Sequence, residues 1–193
     1  MAIGWFTRSI QVKLTPEGSD FHLCLPNRND YDSWHYSRAL NRANLQPFEP
    51  SWAEHALTRT TFNRFVRQAH SEMRSERGAV FFLKNNADGA VIGGINLRNI
   101  RRGSADMGTI GYWIVSQYGR AGRMKAAVGA VVDFGFREFD LHRVEAACVP
   151  ENEASARVLL ANGFEEEGFA RAYLKIDGRW RDHRLFAIVN PHA

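Results

Sequence analysis

A mixed α/β fold is predicted by two features of this 193-residue chain. From Ile110 to Phe164 the pattern runs strand, tight loop, helix, strand, loop, helix, and the apolar spacing changes at each junction. Upstream, β-branched or aromatic runs bounded by turn residues read as strands, and a hairpin closes the chain.

The elements follow in order. Ile10 to Leu14 and Phe21 to Leu25 read as short strands around a Pro16-Glu17-Gly18 turn. Asp30 is placed to cap a helix running to about Asn44, with Trp34, Leu40 and Leu45 on its apolar side. A second helix is expected from about Trp52 to Ser75, where Phe62, Phe65, Val66 and Ala69 recur at helical spacing. Gly78 to Leu83 and Val91 to Leu97 form a strand pair joined by an Asn85-to-Gly89 turn. Arg101-Arg102-Gly103-Ser104 then turns into the strand Ile110 to Val115.

That strand breaks at Ser116 to Gly122, and a helix begins with Met124, Ala127, Val128, Val131, Phe134 and Gly135 on one stripe. Arg143 to Val149 is the next strand, ended by Pro150, and a short helix after Asn152 stops at Asn162-Gly163, a left-handed C-cap signal. The loop before the longer helix carries the chemistry. A glycine-containing turn that feeds a helix directs free backbone N–H groups at one spot, where the helix dipole favours phosphate. Helix starts normally prefer acids, yet Arg120, Arg123 and Lys125 stand here with no acid until Asp133. Those cations repel one another unless an anion lies among them; the plain alternative is a solvated basic loop.

Composition narrows the class. With 45% hydrophobic and 24% charged residues the chain is ordinary globular protein, long enough for one domain spanning 1–193 with its own core. Cys24 and Cys148, both in apolar strand-like runs, are expected as buried thiols of a reducing compartment. Met1 to Trp5 lacks the basic and apolar regions of a secretory signal, and no run is long enough to span a membrane, so a cytoplasmic protein is expected. The net charge of +4 is modest and the arginines are dispersed, which does not favour direct nucleic-acid binding. No His, Cys, Asp and Glu set has metal-ligand spacing, so no metal is expected.

Three strings together carry a family likeness: Asp140 to Glu145, then Pro150-Glu151-Asn152, then Asn162-Gly163-Phe164-Glu165. They resemble the acetyl-CoA-dependent GNAT acyltransferases, within them the RimJ- and RimL-type ribosomal-protein alanine acetyltransferases. Gly163 to His183 is similar to the RimJ ending, and Leu45-Gln46-Pro47-Phe48-Glu49-Pro50 to the Leu-x-Pro-Trp-x-Pro element of such enzymes. The likeness runs from Val12 to Val189. It departs at the phosphate loop, usually Gln/Arg-x-x-Gly-x-Gly/Ala: one register places Gly119, Gly122 and Met124 on the motif, another uses Gln117 and Gly122 but puts Arg120 where glycine belongs.

The resemblance implies a GNAT fold, a mostly antiparallel sheet whose middle strands splay around the pantetheine arm, flanked by about four helices. It implies acetyl transfer from acetyl-CoA to a primary amine by direct attack, with no covalent enzyme intermediate. The cofactor residues implied are Ile114, Gln117, Gly119, Arg120, Ala121, Gly122, Arg123, Met124 and Asn152, where Asn152 either bonds pantetheine or caps the helix after it. Ser155 is the expected donor to the leaving thiolate, or else a first-turn residue satisfying a backbone N–H; the general-acid tyrosine of other branches falls at Leu159. Many relatives carry a base where Thr109 stands, so Glu145 is the candidate, with Asp182 and His183 as alternatives or as a surface pair. Cys148 is assigned to core packing. Phe48, Glu49 and Tyr173 are expected in the acceptor groove, with Glu49 holding an ammonium group; otherwise Pro47 to Pro50 is a rigid turn with Phe48 packed on the core. The expected acceptor is the N-terminal alanine of a ribosomal protein. A small amine such as an amino acid, polyamine or antibiotic, and a catalytically idle CoA-binding or ribosome-associated module, are the alternatives, as monomer or homodimer.

Overall fold

The computed structural model describes residues 12–192; Ile10 and Gln11 of the first expected strand, and Met1 to Trp5, lie outside the described residues. Eight strands form one sheet: β1 (Lys13–Leu14), β2 (Phe21–Cys24), β3 (Ala79–Asn85), β4 (Val91–Arg101), β5 (Met107–Ile114), β6 (Arg143–Cys148), β7 (Glu165–Ile176) and β8 (Arg179–Val189). Their spatial order is β1-β2-β3-β4-β5-β6-β8-β7. Neighbours are antiparallel except β5 and β6, which run parallel and are joined through a helix. Among the described residues there are five α-helices: α1 (Tyr31–Leu40), α2 (Arg42–Leu45), α3 (Arg59–Arg74), α4 (Arg123–Glu138) and α5 (Glu153–Leu160).

The sheet is covered on both faces. Ala79, Phe81 and Leu83 point to a main core completed by α4 and α5, while Phe82 points the other way to Phe62 and Val66 of α3, with Trp34 packed beside them. The period-2 geometry of a strand makes this division. A centre buried on both sides explains why β3 is apolar almost throughout; each fully buried Phe or Leu contributes about 1.5–3 kcal/mol.

Helix boundaries differ from expectation for local reasons. Asp30 does not cap α1; it closes a capping box with Asn27 in the preceding 3-10 turn and pairs with Lys84. The first helix stops at Asn41, whose amide donates to the Ser37 carbonyl at 3.0 Å while its side-chain oxygen accepts from the Ser116 N–H at 3.0 Å. That break turns Leu40 outward, 59% exposed rather than on the apolar side. The second helix starts at Arg59, capped by Thr58, because Trp52 to Leu57 form turns tied back to Glu49. Cys24 is only half-buried, whereas Cys148 is buried.

Candidate active site

Strands β5 and β6 pair only over Met107↔Arg143, Gly108↔Val144 and Thr109↔Glu145. Beyond that point β5 continues to Ile114 with β4 as its only partner, and Ala146 to Cys148 pair with β8 alone. The sheet therefore opens into a V in its middle, the splay that the family likeness implies. Strands that part leave N–H and C=O groups free along the gap, which suits an extended, amide-bearing ligand.

The N-terminus of α5 stands at this opening. The Asn152 side-chain oxygen accepts from the Ser155 N–H at 3.1 Å, so Asn152 is the cap, and its NH2 group makes no hydrogen bond among the described residues. Ser155 is thus relieved of the capping role. Its hydroxyl lies 2.8 Å from the Tyr112 hydroxyl. Burial pushes the Cys148 thiol up, so it stays neutral near pH 7. Leu159, where other branches carry a tyrosine, is buried in the main core.

The basic loop begins where β5 ends. Ile114 is half-buried at the strand end, and Gln117 lies in the 3-10 turn Ser116–Tyr118. Gly119 is extended, Arg120 and Gly122 are left-handed at φ of 61° and 74°, and Ala121 lies between them. Gly122 is the N-cap of α4 and provides no side-chain cap, and no acid occupies the first turn. The first-turn amides, those of Arg123 and Met124 among them, therefore face a space with positive potential and no side-chain acceptor. Part of the expected repulsion is answered from within the chain. Arg123 donates to Asp20 at 2.5 Å and to the Tyr118 carbonyl at 3.1 Å, which lowers the Asp20 pKa through the hydrogen bond. Arg120 and Lys125 make no ion pair among the described residues.

The base candidates separate clearly. Glu145 sits at the last paired position of the V, on the sheet face opposite Ser155, since Val144 and Ala146 on either side of it enter the main core with α5. Arg143 donates to it at 3.0 Å and Arg101 lies 4.0 Å away, so its charge is neutralised at the place where a free base is wanted. Asp182 accepts from the Ala172 N–H and has a structural role. His183 is not half of a surface pair: it is 2% exposed. Its Nδ1–H donates to the Arg181 carbonyl at 3.0 Å, and the Tyr173 ring packs edge-on against it at 5.7 Å.

At the expected acceptor groove the hairpin tip docks on the turn after α2. Asp177 N–H donates to the Glu49 carbonyl at 2.9 Å, and the Gln46 amide donates to the Asp177 carboxylate at 2.8 Å. Phe48 is 42% and Tyr173 48% exposed, so Phe48 is not packed on the core. Glu49 is not free for an ammonium group. Arg38 donates to it through two nitrogens at 2.7 and 2.5 Å, and the Trp52 indole N–H donates at 2.9 Å. The Arg38 guanidinium also lies over the Trp52 and Trp113 rings, at 4.3 and 5.0 Å from their centroids. Gly94 makes this possible: a Cβ there would meet the Trp113 indole nitrogen at 2.4 Å.

Sequence reasoning missed Tyr112, Arg38, Asn41 and Asp20. Tyr112 had a signal, since in a strand alternating about Gly111 and Trp113 it must face the helix side. The partners of Arg38, Asn41 and Asp20 are 11, 75 and 103 residues away, and no local pattern encodes them. Among the described residues no group of three or more His, Cys, Asp or Glu could hold a metal ion, and no helix is long and apolar enough to cross a membrane.

Comparison with known proteins agrees with this geometry. Residues 21–165 match the acetyltransferase (GNAT) domain family. A probable N-acetyltransferase of Bacillus subtilis, YjcK, is 34% identical over 151 residues, 78% of this chain and 83% of that protein. The ribosomal protein uS5-alanine N-acetyltransferase of Escherichia coli is 32% identical over 165 residues, 84% and 85% of the two chains. The structure of Mycobacterium smegmatis RimJ in complex with CoA-disulfide superposes with a TM-score of 0.84 at 31% identity, covering 93% of this chain and 86% of that one. The chain belongs to the GNAT acetyltransferase family and is an acetyl-CoA-dependent N-acetyltransferase.

Proposed function

We propose that the acceptor is a protein N-terminal amine, the N-terminal alanine of a ribosomal protein, and that the amine attacks the thioester directly. The observation that carries this reading is the exposure of two aromatic side chains beside the docked hairpin tip. Phe48 and Tyr173, each more than two-fifths exposed, stand on two elements locked together by the Asp177 contacts. Small-ligand sites bury most of their ligand; exposed aromatic side chains suit a chain that continues past the reacting amine. The Escherichia coli relative, a ribosomal protein uS5-alanine N-acetyltransferase, supports the same class of acceptor.

Bound acetyl-CoA supplies the activated acetyl group. The amides from Arg120 to Met124, with the Arg120 side chain, hold the pyrophosphate beside the turn that carries Gln117 and Gly119, whose Tyr118 and Gly119 amides already donate to Val115 and Ser116; Arg123 contributes once it exchanges Asp20 for phosphate. Ile114 lines the open side of β5, and the free NH2 of Asn152 donates to the pantetheine arm within the V. Ser155 donates a hydrogen bond to the departing sulfur, where negative charge develops. The electron pair of the amine forms the C–N bond, the C–S pair goes to sulfur, and the amine proton leaves to solvent.

The test is thiol release with acetyl-CoA and a panel of amines. Short peptides beginning with alanine should turn over with kcat/KM at least roughly tenfold above free amino acids and polyamines. The same peptides with blocked N-termini should be inert. Preference for a small amine overturns the acceptor assignment, and cofactor binding without turnover on any amine points to an idle CoA-binding module.

A further inference from the structure

The hydroxyl assigned to the leaving thiolate is itself held by a second one. Tyr112 Oη lies 2.8 Å from Ser155 Oγ and 3.2 Å from the Ser155 carbonyl oxygen. Its ring packs against the main core on β5, across the V from α5. Burial pushes the phenol up, so it stays protonated throughout the working pH range of an amine acetyltransferase.

Two hydroxyls share two protons, and geometry allows two placements. In the first, Tyr112 donates to the Ser155 carbonyl and Ser155 donates to Tyr112, which leaves Ser155 with no proton for a ligand. In the second, Tyr112 donates to Ser155 Oγ, and the Ser155 proton is free to turn toward the V. A neutral thioester sulfur is a poor acceptor and gives the second placement little advantage. A thiolate is a strong one, and a hydroxyl that is already accepting a hydrogen bond donates more strongly itself.

We propose that Tyr112 is a positioning residue for acetyl transfer: its hydroxyl, 2.8 Å from Ser155 Oγ, turns the serine proton toward the departing sulfur as the C–S bond breaks. This rests on the assignment of Ser155 to the leaving group. No proton leaves Tyr112. The C–S electron pair ends on sulfur, stabilised by the Ser155 hydrogen bond, and the proton released by the amine later reaches the thiolate through solvent. Because the benefit grows with charge on sulfur, it belongs to turnover rather than to binding.

The experiment is a double-mutant cycle on the full-length protein, with steady-state kinetics and melting temperature measured on Tyr112→Phe, Ser155→Ala and the double variant. Tyr112→Phe should lower kcat roughly tenfold, the rate equivalent of about one hydrogen bond, with KM for acetyl-CoA unchanged. In the Ser155→Ala background it should have no further effect. Equal factors in both backgrounds, or unchanged kcat in Tyr112→Phe, overturn the proposal while leaving Ser155 in place. Unchanged kcat in Ser155→Ala overturns the parent assignment and this one together. If Tyr112→Phe does not fold, 3-fluorotyrosine at position 112 keeps the ring and makes its hydroxyl a stronger donor. Turnover above the parent level supports the proposal, and turnover at or below it overturns it.

Discussion

Gly122 offers the sharpest test of the phosphate loop, because strain and ligand blockage can be separated there. Its φ of 74° is left-handed, and a Cβ built on it would meet no heavy atom within 4 Å. Gly122→Ala therefore meets no obstacle inside the protein and carries only the left-handed penalty, about 1–2 kcal/mol. In a domain of this size that lowers the melting temperature by about 2–8 °C. Gly122→Asn places a Cβ at the same point but tolerates the left-handed region, so most of that loss should be recovered. The assay is the melting temperature of all three proteins with and without acetyl-CoA. At a hundredfold excess over Kd, ligand linkage stabilises the parent by about 2.7 kcal/mol, or about 5–11 °C. If the loop amides face the pyrophosphate, both variants lose most of that ligand-induced shift, although only Ala melts early. An Asn variant that keeps the full shift would refute the placement of phosphate against Gly122.

Two further outcomes follow from the hydrogen bonds. Asn152→Ala should cost about 1 kcal/mol through loss of the α5 cap, read as a fall of about 2–4 °C in melting temperature; Asn152→Asp should keep the cap and the melting temperature, but raise KM for acetyl-CoA several-fold, since a carboxylate cannot donate to pantetheine. Arg143 holds the Glu167 carboxyl below its usual value of 4.5, so this stability is present above that pH and is lost as the pH falls through the lower folded value. The melting-temperature gap between the parent and Arg143→Met, no more than about 1 kcal/mol for a half-exposed partner, should be present at pH 7 and close under strong acid; a gap independent of pH would show that Arg143 acts through packing alone.

The strands and the two helices around the site were legible because their signals are local. The aromatic and β-branched run through Trp113, the glycine at the start of α4 and the Asn162-Gly163 stop each act within a few residues. Asn152 was legible as cap or ligand; only coordinates show that its oxygen serves the helix while its NH2 remains open. The partners of Glu49 were illegible for the opposite reason. A carboxylate in a proline-bounded turn looks available until the Arg38 and Trp52 donors are brought to it by the fold. The start of α3 failed similarly: Trp52 fits a helical stripe, but its indole is held by Glu49 and fixes turns instead. Apolar spacing cannot reveal a hydrogen bond that removes a residue from its stripe.

Two anions, Glu49 and Asp20, divide the labour between two parts of the molecule. Glu49 and Arg38 are mostly buried, with side chains 22% and 13% exposed, bonded through two nitrogens and stacked with two indoles. Removing one partner of such a pair costs about 3–5 kcal/mol because the other charge is stranded, so this part keeps its shape whatever acceptor approaches. Asp20 and Arg123 form an ion pair in which the acid is largely exposed to water, and solvent screening makes such a pair weak. It holds Arg123 near the α4 N-terminus without committing it, and a phosphate brings more negative charge than the carboxylate it displaces. On the proposed assignment, rigidity therefore lies where an acceptor amine is aimed at a carbonyl, and exchangeable charge lies where the cofactor enters and leaves.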